Sequence, residues 1–122
     1  MQLRILAVDD EQETLNVFKS AVEPLGFEVV TIIDSREAAL RISMEKFDLI
    51  ALDAVMPHRD GFDLAGQVRI SPSNRGVPIL MFTAPDSSEA MRRGFALGVT
   101  FYLEKPLPRK SYADFLRRRA AS

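Results

Sequence analysis

The chain has no cysteine, which excludes disulfides, thiolate nucleophiles and cysteine-based zinc sites. It has one histidine, His58, too few for a histidine-rich metal centre or a relay between several histidines within the chain. Neither sign of charge is in excess. Sixteen Lys and Arg stand against 17 Asp and Glu, and the net charge of -1 offers no footprint for direct nucleic-acid binding. No apolar run is long enough for a membrane span. The first one, Leu3–Val8, is also too short for a signal peptide, so a cytoplasmic protein without membrane contact is the expectation. A glycine-rich phosphate loop is missing too, since the first loop reads Asp9-Asp10-Glu11-Gln12. What remains is 122 residues, 47% hydrophobic and 27% charged, the size and balance of one domain over 1–122 with its own core.

The apolar pattern divides the chain regularly. Leu3–Val8, Phe27–Ile33, Leu49–Leu52, Pro78–Phe82 and Val99–Leu103 are short continuous runs, as expected of strands buried on both faces. Between them lie stretches of helical spacing. Gln12 to about Pro24 carries Leu15, Phe18, Val22 and Leu25, and Gly26 stops it. Asp34 or Ser35 caps the next helix, with Glu37 placed as in a capping box and Ala38, Ala39 and Ile42 inward. Phe62 to about Ile70 turns Leu64, Ala65 and Val68 inward. Ser71–Gly76 reads by composition as a surface loop. Asp86-Ser87-Ser88-Glu89 opens a helix that closes at Gly98, and a last helix starts near Ser111 with Tyr112, Phe115 and Leu116 inward. Strands alternating with helices throughout predict an α/β fold, a parallel sheet with helices on both faces and right-handed crossovers.

Ligands in such sheets gather beyond the carboxyl ends of the strands. The run Phe47–Leu52 ends on Asp53, the first strand ends in Asp9-Asp10-Glu11, the fourth at Thr83 and the fifth at Glu104-Lys105-Pro106. Taken singly, each has a plainer reading: Asp53 as a turn residue, the acidic triplet as a solvated turn, Thr83 as a cap, Lys105 as a surface lysine. Together they bring carboxylates, a hydroxyl and an ammonium to one edge. Three carboxylates without histidine suit a hard cation such as Mg²⁺. An Asp carboxylate is a nucleophile for phosphoryl, and a lysine is a point charge for phosphoryl oxygens. Glu11 reads as a capping or solvated acid, His58 as an exposed loop residue, and Met44, Met56, Met81 and Met91 as packing or loop residues.

Asp9-Asp10, Asp53 with Met56-Pro57 and Asp60-Gly61, Thr83-Ala84 and Lys105-Pro106 resemble the motifs of bacterial response-regulator receiver domains, over nearly the whole chain. The resemblance implies a flavodoxin-like three-layer (βα)5 sandwich with five strands in the order 2-1-3-4-5. It implies that Asp53 accepts phosphoryl from a phosphohistidine of a sensor histidine kinase or phosphotransfer protein. It further implies Mg²⁺ on Asp9, Asp10, Asp53 and the Val55 carbonyl, and phosphoryl oxygens on Thr83, Ala84 and Lys105. Thr83 and Tyr102 would be the switch residues that alter a face for an unknown downstream protein. On this reading the chain is a signalling switch and not an enzyme. Phe101-Tyr102 departs from the commoner pattern, in which a small or acidic residue precedes the switch aromatic.

Two other classes compete. A receiver-like interaction module that takes no phosphoryl need not retain the acids, Asp53, Thr83 and Lys105 together. An enzyme or cofactor carrier on the same fold would want a glycine-rich or Ser/Thr phosphate loop first. A dehalogenase-like phosphatase would want an acid two residues after its nucleophile, where this chain has Val55.

Overall fold

The computed structural model describes residues 2–85, 88–108, 116 and 118. Its elements are β1 (Leu3–Val8), α1 (Gln12–Val22), β2 (Phe27–Ile32), α2 (Ser35–Met44), β3 (Leu49–Asp53), α3 (Gly61–Ile70), β4 (Ile79–Thr83), α4 (Ser88–Ala96) and β5 (Val99–Glu104). All pairings are parallel and the strand order is β2-β1-β3-β4-β5, the flavodoxin-like order expected. Asp86 and Ser87 lie outside the described residues. So does most of the expected last helix, where Leu116 is helical and buried and Arg118 is helical and exposed.

Period-two alternation sorts the sheet into two faces. Ile5, Ala7, Leu49, Ala51, Leu80 and Phe82 pack with Leu15, Phe18 and Val22 of α1 and with Leu116. The Phe18 and Phe82 rings meet edge to face at 5.3 Å. On the other face Leu6, Val8, Ile50, Leu52 and Ile79 pack against Ala38 and Ile42 of α2 and Leu64, Ala65 and Val68 of α3. Met81 joins Ala54 and Phe62 in a smaller cluster bordered by Ala90, Leu97 and Tyr102. Every residue of β3 and β4 is buried, which is why both runs are continuously apolar.

One irregularity decides where β5 points. Ile79 pairs with Val99, but Leu80 pairs with Phe101, so β5 carries one extra residue at that step. An extra residue reverses the faces of all that follow it. Val99 therefore packs on the α3–α4 side, while Phe101 and Leu103 pack on the α1 side. Tyr102, opposite Met81, turns towards α4.

The structure differs from the sequence reading in three places. The first helix stops at Val22, and Glu23–Leu25 form a 3-10 turn around Pro24, whose ring cannot continue an α-helix. Gly26 (φ 99°) and Gly98 (φ 71°) take the left-handed conformation that closes each segment. At α2, Asp34 caps the Arg36 amide at 2.8 Å. The capping box is found instead at α3, between Asp60 and Asp63. The segment 71–76 is no simple surface loop, because Ser71 and Asn74 are buried. Asn74 Nδ2 donates to the carbonyls of Ile42 and Glu45 at 2.8 and 2.7 Å, and its Oδ1 accepts from the Phe47 amide at 2.9 Å. The side chain thus satisfies carbonyls freed at the end of α2 and the first amide leading into β3.

Replacing it removes three hydrogen bonds: the buried Phe47 amide loses its acceptor, and the Ile42 carbonyl keeps only the Ser71 hydroxyl at 3.2 Å. Asn74→Ala is expected to lower the unfolding free energy by about 2–4 kcal/mol in a urea titration, and a loss below about 1 kcal/mol would contradict this role.

Candidate functional site

The strand register dictates the centre of the site. Val8 pairs with Leu52, so the next residues, Asp9 and Asp53, leave adjacent strands together. Both share the parity of the α1 face. The extra residue in β5 brings Lys105 to that same face, following Phe101 and Leu103. The Lys105 amide donates to the Thr83 carbonyl at 2.8 Å, and the Lys105–Pro106 bond is cis.

The Lys105 ammonium lies 3.1 Å from Asp53 Oδ2, 2.9 Å from Asp9 Oδ2 and 2.7 Å from Glu11 Oε1. Asp9 is wholly buried and Asp53 nearly so, whereas Asp10 is exposed. Asp9 Oδ1 accepts from the Glu11 amide at 2.9 Å, while Asp9 Oδ2 has its ion pair to Lys105 and no hydrogen bond. Carboxylate oxygens of Asp9, Asp10 and Asp53 fall within 4.8 Å of one another. A buried carboxylate oxygen held by an ion pair alone, in an all-oxygen cluster, fits a hard divalent cation with some water retained.

Burial, then the charge of Asp9, pushes the Asp53 carboxyl up to about 7, with Lys105 opposing. Asp9 is raised by burial too, against the Glu11 amide. Burial disfavours the Lys105 ammonium, but Glu11, Asp9 and Asp53 outweigh it and its pKa lies above the usual lysine value. One cation therefore faces more negative charge than it can neutralise.

A cavity of about 400 Å³ opens at this centre, with Asp10, Asp53, Val55, Ala84 and Lys105 in its wall. Val55 is 77% exposed, and its amide donates to Asp53 Oδ1 at 3.3 Å. Thr83 is buried directly behind Ala84, on the opposite sheet face from Asp53. Tyr102 lies on Thr83's side of the sheet, and its hydroxyl donates to the Met91 carbonyl in α4 at 3.0 Å. Gly94 makes room for it, because a Cβ there would overlap the Tyr102 hydroxyl.

Asp9, Asp10, Asp53, Val55, Thr83, Ala84 and Lys105 thus gather at one edge of the sheet, while Tyr102 lies within β5 on the α4 side. His58 is exposed, at the left-handed φ of 71°. Met56 and Met81 are core residues, while Met44 and Met91 are exposed on helices.

Three contributors escaped sequence reasoning. Glu11 occupies the N-cap position of α1 without capping it, and its carboxylate goes to Lys105 instead. The buried Ser35 hydroxyl donates to the Pro57 carbonyl (2.9 Å) and accepts from the Arg59 amide (3.2 Å), clamping the loop after Asp53. Gly61 lets α3 start against the Asp53 carbonyl, which any Cβ would strike. The acidic triplet Asp9-Asp10-Glu11 and the Asp60-Gly61 turn signal hinted at the first and last of these; nothing local marked Ser35.

The profile of the response regulator receiver domain matches residues 5–117. The chain belongs to that family. It is a phosphorylatable receiver domain of two-component signalling, a class that works as switches. The chain is 37% identical over 106 residues to the alkaline phosphatase synthesis transcriptional regulatory protein PhoP of Bacillus subtilis, an alignment covering 87% of this chain and 43% of that protein. It therefore spans less than half of that relative's length. Among solved structures, the Vibrio cholerae chemotaxis protein CheY4 superposes with a TM-score of 0.88 at 33% identity, over 97% of this chain and 98% of that one. The receiver domain of the Pseudomonas aeruginosa sensor histidine kinase PA1611, solved with a magnesium ion coordinated in its active-site cleft, gives 0.83 at 26% identity over the full length of both. No helix among the described residues is long and apolar enough to cross a membrane.

The raised Asp53 carboxyl fixes a sign for pH dependence. Between its ordinary 3.8 and about 7 the folded protein holds a proton that the unfolded chain has released. Stability without divalent cation should therefore fall as pH rises from about 4 to about 7. Lys105 remains charged throughout this window. Urea unfolding across the range should show the decline, and Asp53→Asn should flatten it; an equal slope in the variant would remove Asp53 as its source.

Proposed function

We propose that Asp53 is the phosphoacceptor of this receiver and that it takes phosphoryl from a phosphohistidine on a sensor histidine kinase or phosphotransfer protein. The observation that carries this is the Lys105 ammonium beside both Asp53 and Asp9 at the mouth of the acidic cavity. Asp9, Asp10 and Asp53, with the Val55 carbonyl, would hold Mg²⁺. Bound there, the ion would offset the repulsion between the carboxylates and an incoming phosphoryl group. Lys105 receives one phosphoryl oxygen as a point charge, and the Thr83 hydroxyl and Ala84 amide receive others. The exposure of Val55 and the small side chain of Ala84 leave the approach to Asp53 open. Cytoplasmic placement follows from a kinase partner of this kind, and output passes to another protein without direct contact of this chain with nucleic acid.

Switching would begin at Thr83, which must move towards the phosphoryl group from the other sheet face. That motion changes the space beside Tyr102 and loosens its hold on Met91, so the surface of α4 and β5 is the part that responds. Phe95, 85% exposed on α4, and Arg92 lie on this helix as contacts for a downstream protein.

With acetyl phosphate and Mg²⁺, intact mass should show one phosphoryl group on the protein and none on Asp53→Asn, whose amide is a far poorer nucleophile. A protein that stays unmodified with every donor would be the interaction module instead. For the switch, beryllofluoride should shift amide resonances through α4 and β5 as well as near Asp53. Gly94→Ala, by filling the Tyr102 notch, should blunt the response in α4. Shifts confined to residues beside Asp53 would rule out this route.

A further inference from the structure

Lys105 has more carboxylates than a phosphoryl-binding lysine can keep. Of the ammonium's three N–H donors, two go to Glu11 and Asp53, and Asp9 stands beside it as an ion pair at 2.9 Å. A phosphoryl oxygen arriving at Lys105 competes with these carboxylates for the ammonium. Asp9 is wholly buried, and Asp53 is the group being modified. Glu11 is different. Its side chain is 62% exposed, and it can return to water at little cost. It has somewhere to go: Glu11 and Lys105 also border a second cavity of about 470 Å³, lined on its far side by Glu13, Thr14 and Val17 of α1. Its side chain makes no cap for α1, so the helix does not need it where it is.

We propose that Glu11 is a carboxylate latch on Lys105, holding the ammonium against the acidic centre and yielding it only when a phosphoryl group arrives. This rests on the reading that Asp53 accepts phosphoryl. With acetyl phosphate as donor, an Asp53 carboxylate oxygen forms the new bond to phosphorus as the bond from phosphorus to the acetyl oxygen breaks. Acetate leaves with that electron pair, and no proton is required. The anion developing in this step needs Lys105, and Glu11 competes for it. Glu11 must give way before the transfer, so the latch slows it. Glu11 is thereby a positioning residue acting through Lys105, without contact to the transferred group.

The test compares the full chain with Glu11→Gln and Glu13→Gln. Glu13 is an exposed acid bordering the same cavity, with no ion pair to Lys105 among the described residues. It reports the effect of removing one negative charge nearby. Acetyl phosphate labelling in Mg²⁺, followed by intact mass, should run about two- to five-fold faster in Glu11→Gln, the range of a weak exposed ion pair. Glu13→Gln should match the unaltered protein. Beryllofluoride affinity should tighten by the same factor in Glu11→Gln alone. Equal acceleration in both variants would assign the effect to general charge and overturn the latch, as would a Glu11→Gln variant no faster than the parent. A slower Glu11→Gln variant would mean that Glu11 orients Lys105 productively, which also overturns it. In each of these cases the parent is still labelled and the Asp53 reading stands. A parent that takes no phosphoryl at all removes both.

Discussion

Everything at the functional edge depends on one ammonium holding apart carboxylates that would not otherwise share a buried space. Asp9 and Asp53 leave adjacent parallel strands, side by side and on the same face. Two buried carboxylates at that spacing repel, and the charge of Asp9 adds to burial in raising the affinity of Asp53 for a proton. Lys105 reaches between them from β5 and makes the arrangement tolerable. It cannot neutralise it, because Asp10 and Glu11 add charge at the rim. The site is therefore left with an excess of negative charge by construction, which a divalent cation would relieve.

The position of Lys105 is set by backbone register rather than by the lysine itself. Val99 and Lys105 are an even number of residues apart, so in a regular strand both would face α3 and α4. The extra residue in β5 reverses the second half of the strand. Phe101 and Leu103 then join the α1 core, and Lys105 follows them to Asp53. The same reversal sends Tyr102 to the α4 side, where Gly94 leaves it room. One irregularity thus gives the acidic centre its cation and the opposite face its tyrosine. Thr83 and Tyr102 thus share the α4 side of the sheet, across from Asp53 and Lys105.

Much of this was legible in the residues. Continuous apolar runs ending in Asp9, Asp53, Thr83 and Lys105 carry their meaning locally, because burial on both faces of a parallel strand leaves a contiguous pattern and a strand end places its polar residue at the edge. Gly26 and Gly98 likewise marked real helix ends. What could not be read depends on contacts between distant segments. Asn74 looks like loop composition until the end of α2 presents its carbonyls to it. Glu37 and Asp63 are both plausible capping partners in sequence, and only the path of the entering chain selects the second. Glu11 looks like a cap because it precedes a helix, yet Lys105, 94 residues away, claims its carboxylate. The shift in β5 leaves no trace in composition at all.

These long-range contacts also separate stability from function within the same sheet. The core beneath Asp53 is apolar on both faces and fully buried through β3 and β4, so it asks nothing of the charges above it. Repulsion among Asp9, Asp10 and Asp53 is confined to strand ends and the loops that follow. There Ser35 and Gly61 hold the loop after Asp53 in place without touching its carboxylate. A rigid apolar floor beneath a charge-frustrated rim lets binding energy at the rim be spent on local rearrangement rather than on rescuing the fold. Thr83 stands at the boundary between the two. Its backbone belongs to the sheet and anchors Lys105, while its buried side chain lies on the face away from Asp53.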